Sequence, residues 1–184
     1  MNDLHHANYE TSNLPYRIAV LCYLWNHEED RERLLMLHRA KAPNLGMYSP
    51  IGGKVEISEG ETPHECAVRE IEEEAGLTFA PEDVNLLGVV AEKGYQDEMH
   101  WLLFLFEVGR PVEASEIEQY VFNEGELKWI PIEEVGDLGI PETDREVIWP
   151  QVRNHRGGGF FMTDIDCRDS KLVSRIVDSR PKST

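Results

Sequence analysis

The segment from Thr62 to Gly76 constrains the fold of this chain more than any other part of its sequence. Thr62 is followed by Pro63 and, three residues on, by Glu65, a combination typical of a helix N-terminus closed by a capping box. Gly76 stands where a glycine in the left-handed conformation ends a helix. The spacing therefore predicts a helix over about residues 63 to 75.

Three glutamates of this predicted helix, Glu70, Glu73 and Glu74, are spaced i, i+3 and i+4. Their side chains should share one face, where unneutralised like charges cost roughly a few tenths of a kcal/mol per pair. A bound cation would remove that cost, and oxygen ligands without Cys or His suit Mg²⁺, or Mn²⁺ as a substitute, better than zinc. The alternative is a solvated acidic face, which is the usual role of a glutamate run.

The loop before the helix favours the metal interpretation. Gly52 and Gly53 allow the backbone to approach a ligand closely, and Lys54 is a candidate phosphate contact. Arg69, next to Glu70, can hold a carboxylate by a two-pronged hydrogen bond and fix its orientation. These residues predict a site where divalent cations lie between carboxylates and a phosphorylated ligand.

The segment Gly52–Leu77 resembles the Nudix box, whose pattern is Gly, five residues, Glu, seven residues, Arg-Glu, apolar, any, Glu-Glu, any, Gly, apolar. Its second half is matched by Arg69, Glu70, Ile71, Glu73, Glu74, Gly76 and Leu77. Seven residues separate Gly53 from Glu61 where the family has five, so we expect a two-residue insertion near Ile57–Gly60. Glu61 is preferred to Glu59 as the first glutamate, because a loop absorbs an insertion more easily than a helix.

The resemblance implies an α/β fold of the Nudix type, an α/β/α sandwich around a mixed β-sheet. It also implies that Glu73 and Glu74 are metal ligands, that Glu70 is a ligand or the general base, and that Gly53 offers a backbone carbonyl. Arg69 and Glu61 complete the catalytic set.

The substrate-binding residues predicted from the same resemblance are Gly52, Gly53, Lys54 and Tyr95. Tyr95 stands 18 residues beyond Leu77, near where some diadenosine polyphosphate hydrolases have a base-stacking tyrosine. Its alternative role is to cover the edge of the sheet. Candidates for a general base outside the motif are Glu98, Glu116 and Glu118.

The activity implied by the resemblance is the cleavage of a phosphoanhydride bond in a nucleoside diphosphate derivative. The first substrate class is that of (oxidised) purine nucleoside triphosphates, cleaved to monophosphate and pyrophosphate. The alternatives are a dinucleoside polyphosphate hydrolase, which Tyr95 favours, and a catalytically inactive Nudix domain that binds a nucleotide as a sensor. ADP-ribose hydrolysis ranks lower, because Glu92 and Lys93 occupy the positions of that group's proline.

Charge and hydropathy exclude other function classes. A formal net charge of −17 opposes binding to a nucleic-acid backbone, so we expect a small nucleotide as the partner. No apolar run approaches the roughly 20 residues that span a bilayer, and three widely spaced cysteines give no disulfide framework. We therefore expect a cytoplasmic protein without a membrane partner, with a homodimer among its possible oligomeric states.

A length of 184 residues suits one α/β domain. We expect this domain over residues 16–177, after an N-terminal extension of residues 1–15 and before a polar tail, 178–184, that is predicted to be disordered. The turn-rich stretch Pro43–Gly53 is predicted to lack regular structure.

Apolar and β-branched segments between polar turns predict a mixed sheet with helices packed on it. The predicted strands are Tyr16–Trp25, Arg33–His38 as its hairpin partner, Val84–Ala91, Met99–Val108, Leu127–Ile132 and Phe160–Ile165. Met99–Val108 is almost continuously apolar, which is typical of a central strand covered on both faces. A second helix is predicted over Thr143–Val152, with Pro150 leaving its C-terminal end undetermined.

Overall fold

The computed structural model describes residues 14–28, 30–42, 44–168 and 171–182. The strands are β1 (Tyr16–Tyr23), β2 (Trp25–Glu28), β3 (Arg31–Arg39), β4 (Tyr48–Ser49), β5 (Val84–Tyr95), β6 (Met99–Val108), β7 (Val121–Phe122), β8 (Gly125–Pro131), β9 (Phe160–Asp166) and β10 (Val173–Arg180). The α-helices are α1 (Pro63–Ala75) and α2 (Trp149–His155), and a π-helical turn, Asp144–Ile148, leads directly into α2. Most of the predicted N-terminal extension, residues 1–13, lies outside the described residues.

The strands form two sheets. The larger is mixed, in the order β1-β6-β5-β9-β10, with β1 parallel to β6 and β5 parallel to β9. The smaller is antiparallel, in the order β2-β3-β8-β7, and β4 pairs with β3. The apolar strand β6 has the predicted bounds and an interior position in the mixed sheet.

The helices cover opposite faces of the mixed sheet, because successive residues of a strand point to opposite sides. On β1, Val20 and Cys22 pack in one core cluster with the buried face of α1, while Ala19 and Tyr23 pack in a second cluster with α2. The architecture is the α/β/α arrangement that was predicted, and the fold class is confirmed.

Helix α1 has the predicted bounds and the predicted ends. The backbone N–H of Glu65 donates to the Thr62 hydroxyl at 3.2 Å, and the N–H of Thr62 donates to the Glu65 carboxylate at 2.8 Å, which closes the capping box. Gly76 ends the helix with a φ of 69°. The prediction of this helix is confirmed. Its sequence signals lie within the helix and its two ends, so they do not depend on the rest of the fold.

The first predicted hairpin was wrong. The segment Tyr16–Trp25 is not one strand paired with Arg33–His38, because β1 joins the mixed sheet and β2 is the hairpin partner of β3. The chain crosses between the sheets at the fully buried Leu24, whose carbonyl accepts a hydrogen bond from the N–H of Leu35 at 2.9 Å. The stretch predicted to lack regular structure also contains the short strand β4.

The C-terminal third brought two further corrections. The second helix begins as a π-helical turn and extends to His155, beyond the predicted end. Pro150, which has no N–H to donate, is the second residue after this turn. Asp178–Arg180 belong to β10, so the prediction of a disordered tail from Asp178 was wrong for these residues. No helix of the described residues is long and apolar enough to cross a membrane.

Candidate active site

The Gly52–Lys54 loop and helix α1 are both fixed by strand β1. The helix packs on β1 through the core, and the N–H of Val20 donates to the carbonyl of Gly53 at 2.8 Å. Loop and helix therefore meet at a defined distance. The carboxylates of Glu70 and Glu74 lie at this junction.

Two glycines make this close approach possible. A Cβ on Gly53 would lie 2.0 Å from Oε1 of Glu70, so only glycine leaves room for that carboxylate. Gly52 has a φ of +143°, and its Cβ would lie 2.2 Å from the carbonyl oxygen of Val20. The N–H of Gly52 donates to Oε2 of Glu74 at 2.8 Å.

Arg69 organises the acids on the helix. Its Nε and Nη2 donate to the two carboxylate oxygens of Glu61 at 2.7 and 3.1 Å. Its Nη1 donates to Glu70 at 2.7 Å and to Glu73 at 3.1 Å. These hydrogen bonds lower the pKa of Glu61 to about 2 and raise the pKa of the Arg69 guanidinium above its ordinary value. Arg69 thus fixes three carboxylates.

The same geometry agrees with the alignment of the motif through Glu61. Glu61 also accepts a hydrogen bond from the N–H of Glu56 at 2.7 Å. Glu59, the alternative match, lies in the exposed 3₁₀ turn Ile57–Glu59, which Gly60 ends with a φ of 73°. The additional residues therefore lie in a surface turn outside the contacts of Arg69.

The electrostatics of Glu70 and Glu74 favour a cation. Burial raises the pKa of Glu70, which is 9% exposed, and raises that of Glu74 to about 7, against the hydrogen bond from Gly52. Arg69 supplies one positive charge beside Glu70, but the pKa of Glu70 stays raised, so two neighbouring carboxylates that are this poorly hydrated are costly to ionise without a further positive charge. Glu73 is exposed, with 59% of its side chain accessible.

The donor set fits a hard divalent cation. Glu70 and Glu74 offer carboxylate oxygens. The carbonyl oxygen of Gly53 is a third oxygen at this junction, and it accepts hydrogen bonds from the Val20 N–H at 2.8 Å and from the Cys66 thiol at 3.9 Å. Among the described residues, no three Asp, Glu, His or Cys side chains already converge on one metal position, and Arg69 contacts both Glu70 and Glu73. The fit therefore rests on two carboxylates and a carbonyl, with the exposed Glu73 beside them.

A cavity of about 150 Å³ begins at this loop. One end is lined by Gly52, Gly53 and Lys54, and the other by Glu92, Trp101 and Asp144. The remaining wall is formed by Ala19, Val20, Leu21, Arg39, Asn44, Ser49, Pro50, Tyr95, Leu103, Pro141 and Thr143. All four predicted substrate contacts, Gly52, Gly53, Lys54 and Tyr95, line this cavity.

Tyr95 lies between the cavity and a neighbouring pocket of about 270 Å³. Its hydroxyl donates to Oδ1 of Asn44 at 2.9 Å. Burial raises the pKa of Tyr95 to about 12, so the hydroxyl keeps its proton. Tyr95 is thus a wall residue of the cavity with one fixed partner.

The far end of the cavity holds acids that the sequence analysis did not assign. Glu92 is 3% exposed, and burial raises its pKa to about 7. Burial, together with the charge of Glu92, raises the pKa of Asp144 to about 8. No described cation forms an ion pair with either carboxyl, and the hydroxyl of Thr143 lies close enough to Glu92 to lower its pKa against the effect of burial. The sequence offers one signal for these acids, which is the position of Glu92 in an otherwise apolar strand. Asp144 has no such signal.

The general-base candidates outside the motif do not line the cavity. Glu116 accepts two hydrogen bonds from Arg110, at 2.7 and 2.9 Å, and Glu98 and Glu118 are exposed. A different acid, Glu124 in the turn before β8, is close enough for its charge to raise the pKa of Glu74. Lys41 contacts Glu124 at 3.1 Å.

Comparison with known proteins agrees with this geometry. The family model described as NUDIX domain matches residues 15–150. A protein of two Mycobacterium tuberculosis strains, which carries the provisional name 8-oxo-dGTP diphosphatase 3, is 35% identical over 109 residues, or 58% of this chain and 48% of the relative. The chain spans about half the length of the curated relatives it matches.

Solved structures show the same fold. A MutT protein from Methanosarcina mazei Go1 has a TM-score of 0.60 at 25% identity, over 77% of this chain and 96% of that one. A mutator MutT protein from Bacillus halodurans has a TM-score of 0.65 at 24% identity, over 88% and 97%. The Nudix domain of Shewanella oneidensis NrtR, crystallised with ADP ribose, has a TM-score of 0.63 at 17% identity, over 83% and 97%.

The family model spans well over half of the chain, and its range contains the whole glycine loop and helix α1. Nudix hydrolases generally use divalent metal ions. The resemblance predicted from the motif is confirmed, and this chain belongs to the family of Nudix hydrolases.

Proposed function

We propose that this chain is a Mg²⁺-dependent pyrophosphohydrolase that cleaves (oxidised) purine nucleoside triphosphates to the monophosphate and pyrophosphate. The observation that carries the proposal is the cavity that runs from the Gly52–Lys54 loop to Trp101, Glu92 and Asp144. This loop adjoins the glutamate helix, because the N–H of Gly52 donates to Glu74. The cavity volume of about 150 Å³ suits one bicyclic base rather than two. The M. tuberculosis relative named for 8-oxo-dGTP supports the substrate class.

The metal end binds the phosphates in this proposal. Glu70, Glu73 and Glu74 and the carbonyl of Gly53 hold Mg²⁺, which Mn²⁺ can replace, because all the donors are oxygen atoms. When bound, the ion supplies positive charge against the phosphates and activates water for in-line attack. Arg69 keeps Glu70 oriented, at 2.7 Å from its carboxylate.

Basic side chains complete the phosphate site. Lys54 and Arg39 line the cavity next to the glycine loop, where they can contact phosphoryl oxygens that the metal leaves free. Glu70 is the first candidate for the general base. Glu124 is the second, because the structure places its charge beside Glu74.

The base end selects the nucleobase. Trp101 and Tyr95 offer aromatic surface to a purine ring, and both line the cavity. Glu92, Thr143 and Asp144 offer polar atoms that hydrogen-bond to its edge. A site that pairs polar groups with a substrate discriminates strongly against analogues that leave them unpaired.

The experiment is Mg²⁺-dependent hydrolysis of a nucleotide panel, with products resolved by chromatography. The panel contains 8-oxo-dGTP, the ordinary triphosphates, diadenosine polyphosphates and ADP-ribose. Glu73→Gln is the inactive control, and Glu72→Gln, an exposed neighbour on the same helix, is the matched active one. Monophosphate and pyrophosphate from triphosphates support the proposal. Binding without turnover by the intact protein would contradict it and favour a nucleotide sensor.

Dinucleoside polyphosphate hydrolysis is the second candidate, and the pocket beyond Tyr95 favours it. Asn44, Tyr95, Pro141 and Thr143 line both this pocket and the cavity, so a second nucleoside would find about 270 Å³ of space next to the first. Formation of a nucleoside triphosphate from a diadenosine polyphosphate would identify this activity.

The predicted environment of the enzyme belongs to the same proposal. The described cysteines Cys22, Cys66 and Cys167 are free thiols, as we expect in the cytoplasm. The net charge of −17 argues for a small nucleotide and against nucleic acid as the partner.

A further inference from the structure

The two edges of the mixed sheet differ in how their backbone is covered. At the β1 edge, Val20 and Cys22 donate their N–H groups to the carbonyls of Gly53 and Ile51, each at 2.8 Å. At the opposite edge, β10 pairs with β9 and with no other described strand. Its outer row of N–H and C=O groups is a template for a further strand.

Strand β10 is also unusually apolar for an edge. Val173, Ile176 and Val177 are 58%, 51% and 46% exposed, and the other five residues of the strand are charged or hydroxyl-bearing. Natural edge strands are commonly protected by charges, proline, a β-bulge or a covering loop. Strand β10 has charges and a β-bulge, but three large aliphatic side chains stay exposed beside its open backbone, which favours a partner strand.

The sequence of β10, VSRIVDSR, is complementary to itself in the antiparallel sense. If two copies are aligned about the midpoint between Ile176 and Val177, Arg175 of one copy faces Asp178 of the other. Ser174 then faces Ser179 in the same way. Within its own chain Arg175 pairs with Asp164 at 2.8 Å and Asp178 pairs with Arg180 at 3.0 Å, so the contact between copies would extend these pairs into a network. Opposite charges and paired hydroxyl groups at facing positions stabilise antiparallel strands.

A β-bulge brings these charges to one face. Residues three apart in a regular strand point to opposite faces. In β10 the register shifts between Ile176 and Asp178, so Arg175 lies opposite Asp164 of β9 and Asp178 lies opposite Met162. Asp164 and Met162 are two residues apart on β9 and share a face, so Arg175 and Asp178 share a face as well.

From these observations we infer that β10 pairs antiparallel with β10 of a second copy of this chain, which joins two five-stranded sheets across a two-fold axis. The charge of β10 also favours this edge as the contact between two copies. The chain carries a net charge of −17, but Arg175 and Arg180 outweigh Asp178 on β10. Repulsion between two copies is therefore weaker at this edge than the net charge of the chain alone implies.

The test is sedimentation equilibrium of the full chain over a wide concentration range, with charge reversals in β10. Arg175→Asp and Asp178→Arg each place like charges opposite one another, and each should raise the dimer dissociation constant at least tenfold. The combined variant restores opposite charges in the swapped order, so the dimer should return. Arg153→Glu and Glu133→Arg, which reverse exposed charges elsewhere, are the controls and should leave the dimer unchanged.

A further variant leaves the charge pair intact. Val177→Lys places a charge on the exposed edge beside Ile176 of the other copy and should also weaken the dimer, without removing a buried contact. A protein that stays monomeric at all concentrations would overturn the inference. So would a dimer that tolerates both single reversals, or a swap that fails to restore association. Thermal unfolding of each variant checks that β10 still folds on β9.

Discussion

The acids of helix α1 and its loop are held differently from the acids that line the cavity. At the metal end, which is the proposed metal site beside the Gly52–Lys54 loop, Glu61 and Glu70 bond to Arg69, and Glu74 accepts the N–H of Gly52. At the base end, Glu92 and Asp144 have no cation among the described residues. The first set is therefore oriented by charged and backbone partners of the fold, whereas the second is buried without a charge to neutralise it.

The largest effect is expected when one carboxylate charge is removed at the metal end. Glu74→Gln should lower turnover by roughly 10²- to 10³-fold, because a carboxylate that faces the reacting phosphates is lost. The matched control is Glu72→Gln, which makes the same change at an exposed position of α1. Steady-state kinetics at saturating Mg²⁺ measures the effect. Equal activity of the two variants would show that Glu74 has no part in the site.

The next largest effect is expected where the Gly52–Lys54 loop approaches helix α1. Gly53→Ala should displace the Glu70 carboxylate, which a Cβ would approach to 2.0 Å, and lower kcat by about 10²-fold. Gly139→Ala, where a Cβ meets nothing within 4 Å, is the control. Both variants should unfold at similar temperatures. Full activity of Gly53→Ala would mean that the contact does not position Glu70 for the reaction.

At the base end, the acids should make stability depend on pH. Their pKa values in the folded state, about 7 for Glu92 and about 8 for Asp144, are above the ordinary carboxyl range. The folded protein then holds protons that the unfolded chain has released, so the free energy of unfolding should fall as pH rises from about 4 to about 8, by a few kcal/mol at most.

Urea unfolding at pH 5 and pH 8 measures this dependence. In the variant Glu92→Gln with Asp144→Asn the loss of stability should be smaller, because neither side chain can ionise. The loss that remains comes from Glu70 and Glu74, whose pKa values burial also raises. Glu82→Gln, at an exposed position, should keep the full dependence. A flat profile for the unmodified protein would show that the pair is solvated or neutralised.

The smallest effect on turnover is expected from changes at Tyr95, which lines the wall of the cavity. Tyr95→Phe removes one hydrogen bond to Asn44, which is worth about 1 kcal/mol, so turnover should change less than tenfold. Tyr95→Ala also removes the aromatic surface and should raise KM more than it lowers kcat. If Tyr95→Phe and Tyr95→Ala have the same effect, the ring makes no contact with the base.

The metal end could be predicted from sequence because it is local. The capping box at Thr62, the glycine at 76 and the spacing of Glu70 and Glu74 all lie within one segment, and the helix geometry places them without reference to the rest of the chain. Even the inserted turn could be located, because Arg69 and Glu61 sit at a fixed spacing on either side of the helix start.

The base end could not be predicted, since Glu92 and Asp144 come from β5 and from a π-helical turn that meet only in the folded protein. The same reason explains the missed strands. In β10 the apolar residues Val173, Ile176 and Val177 do not alternate with polar ones, so no strand period marks this segment, and its last three residues are polar like a tail. The break at Leu24 has no local signal, because its cause is the path of the chain between two sheets.

The turn Ile57–Gly60 also offers an entry point for protein engineering. It is exposed, its neighbour Val55 is tied to Ile18 by a 3.1 Å hydrogen bond, and Glu61 is tied to Arg69. The chain is thus clamped on both sides of a segment that has already accepted additional residues. A peptide tag or a fluorescent label inserted at Gly60 would sit beside the catalytic helix without entering its contacts, and would report on nucleotide binding from outside the cavity.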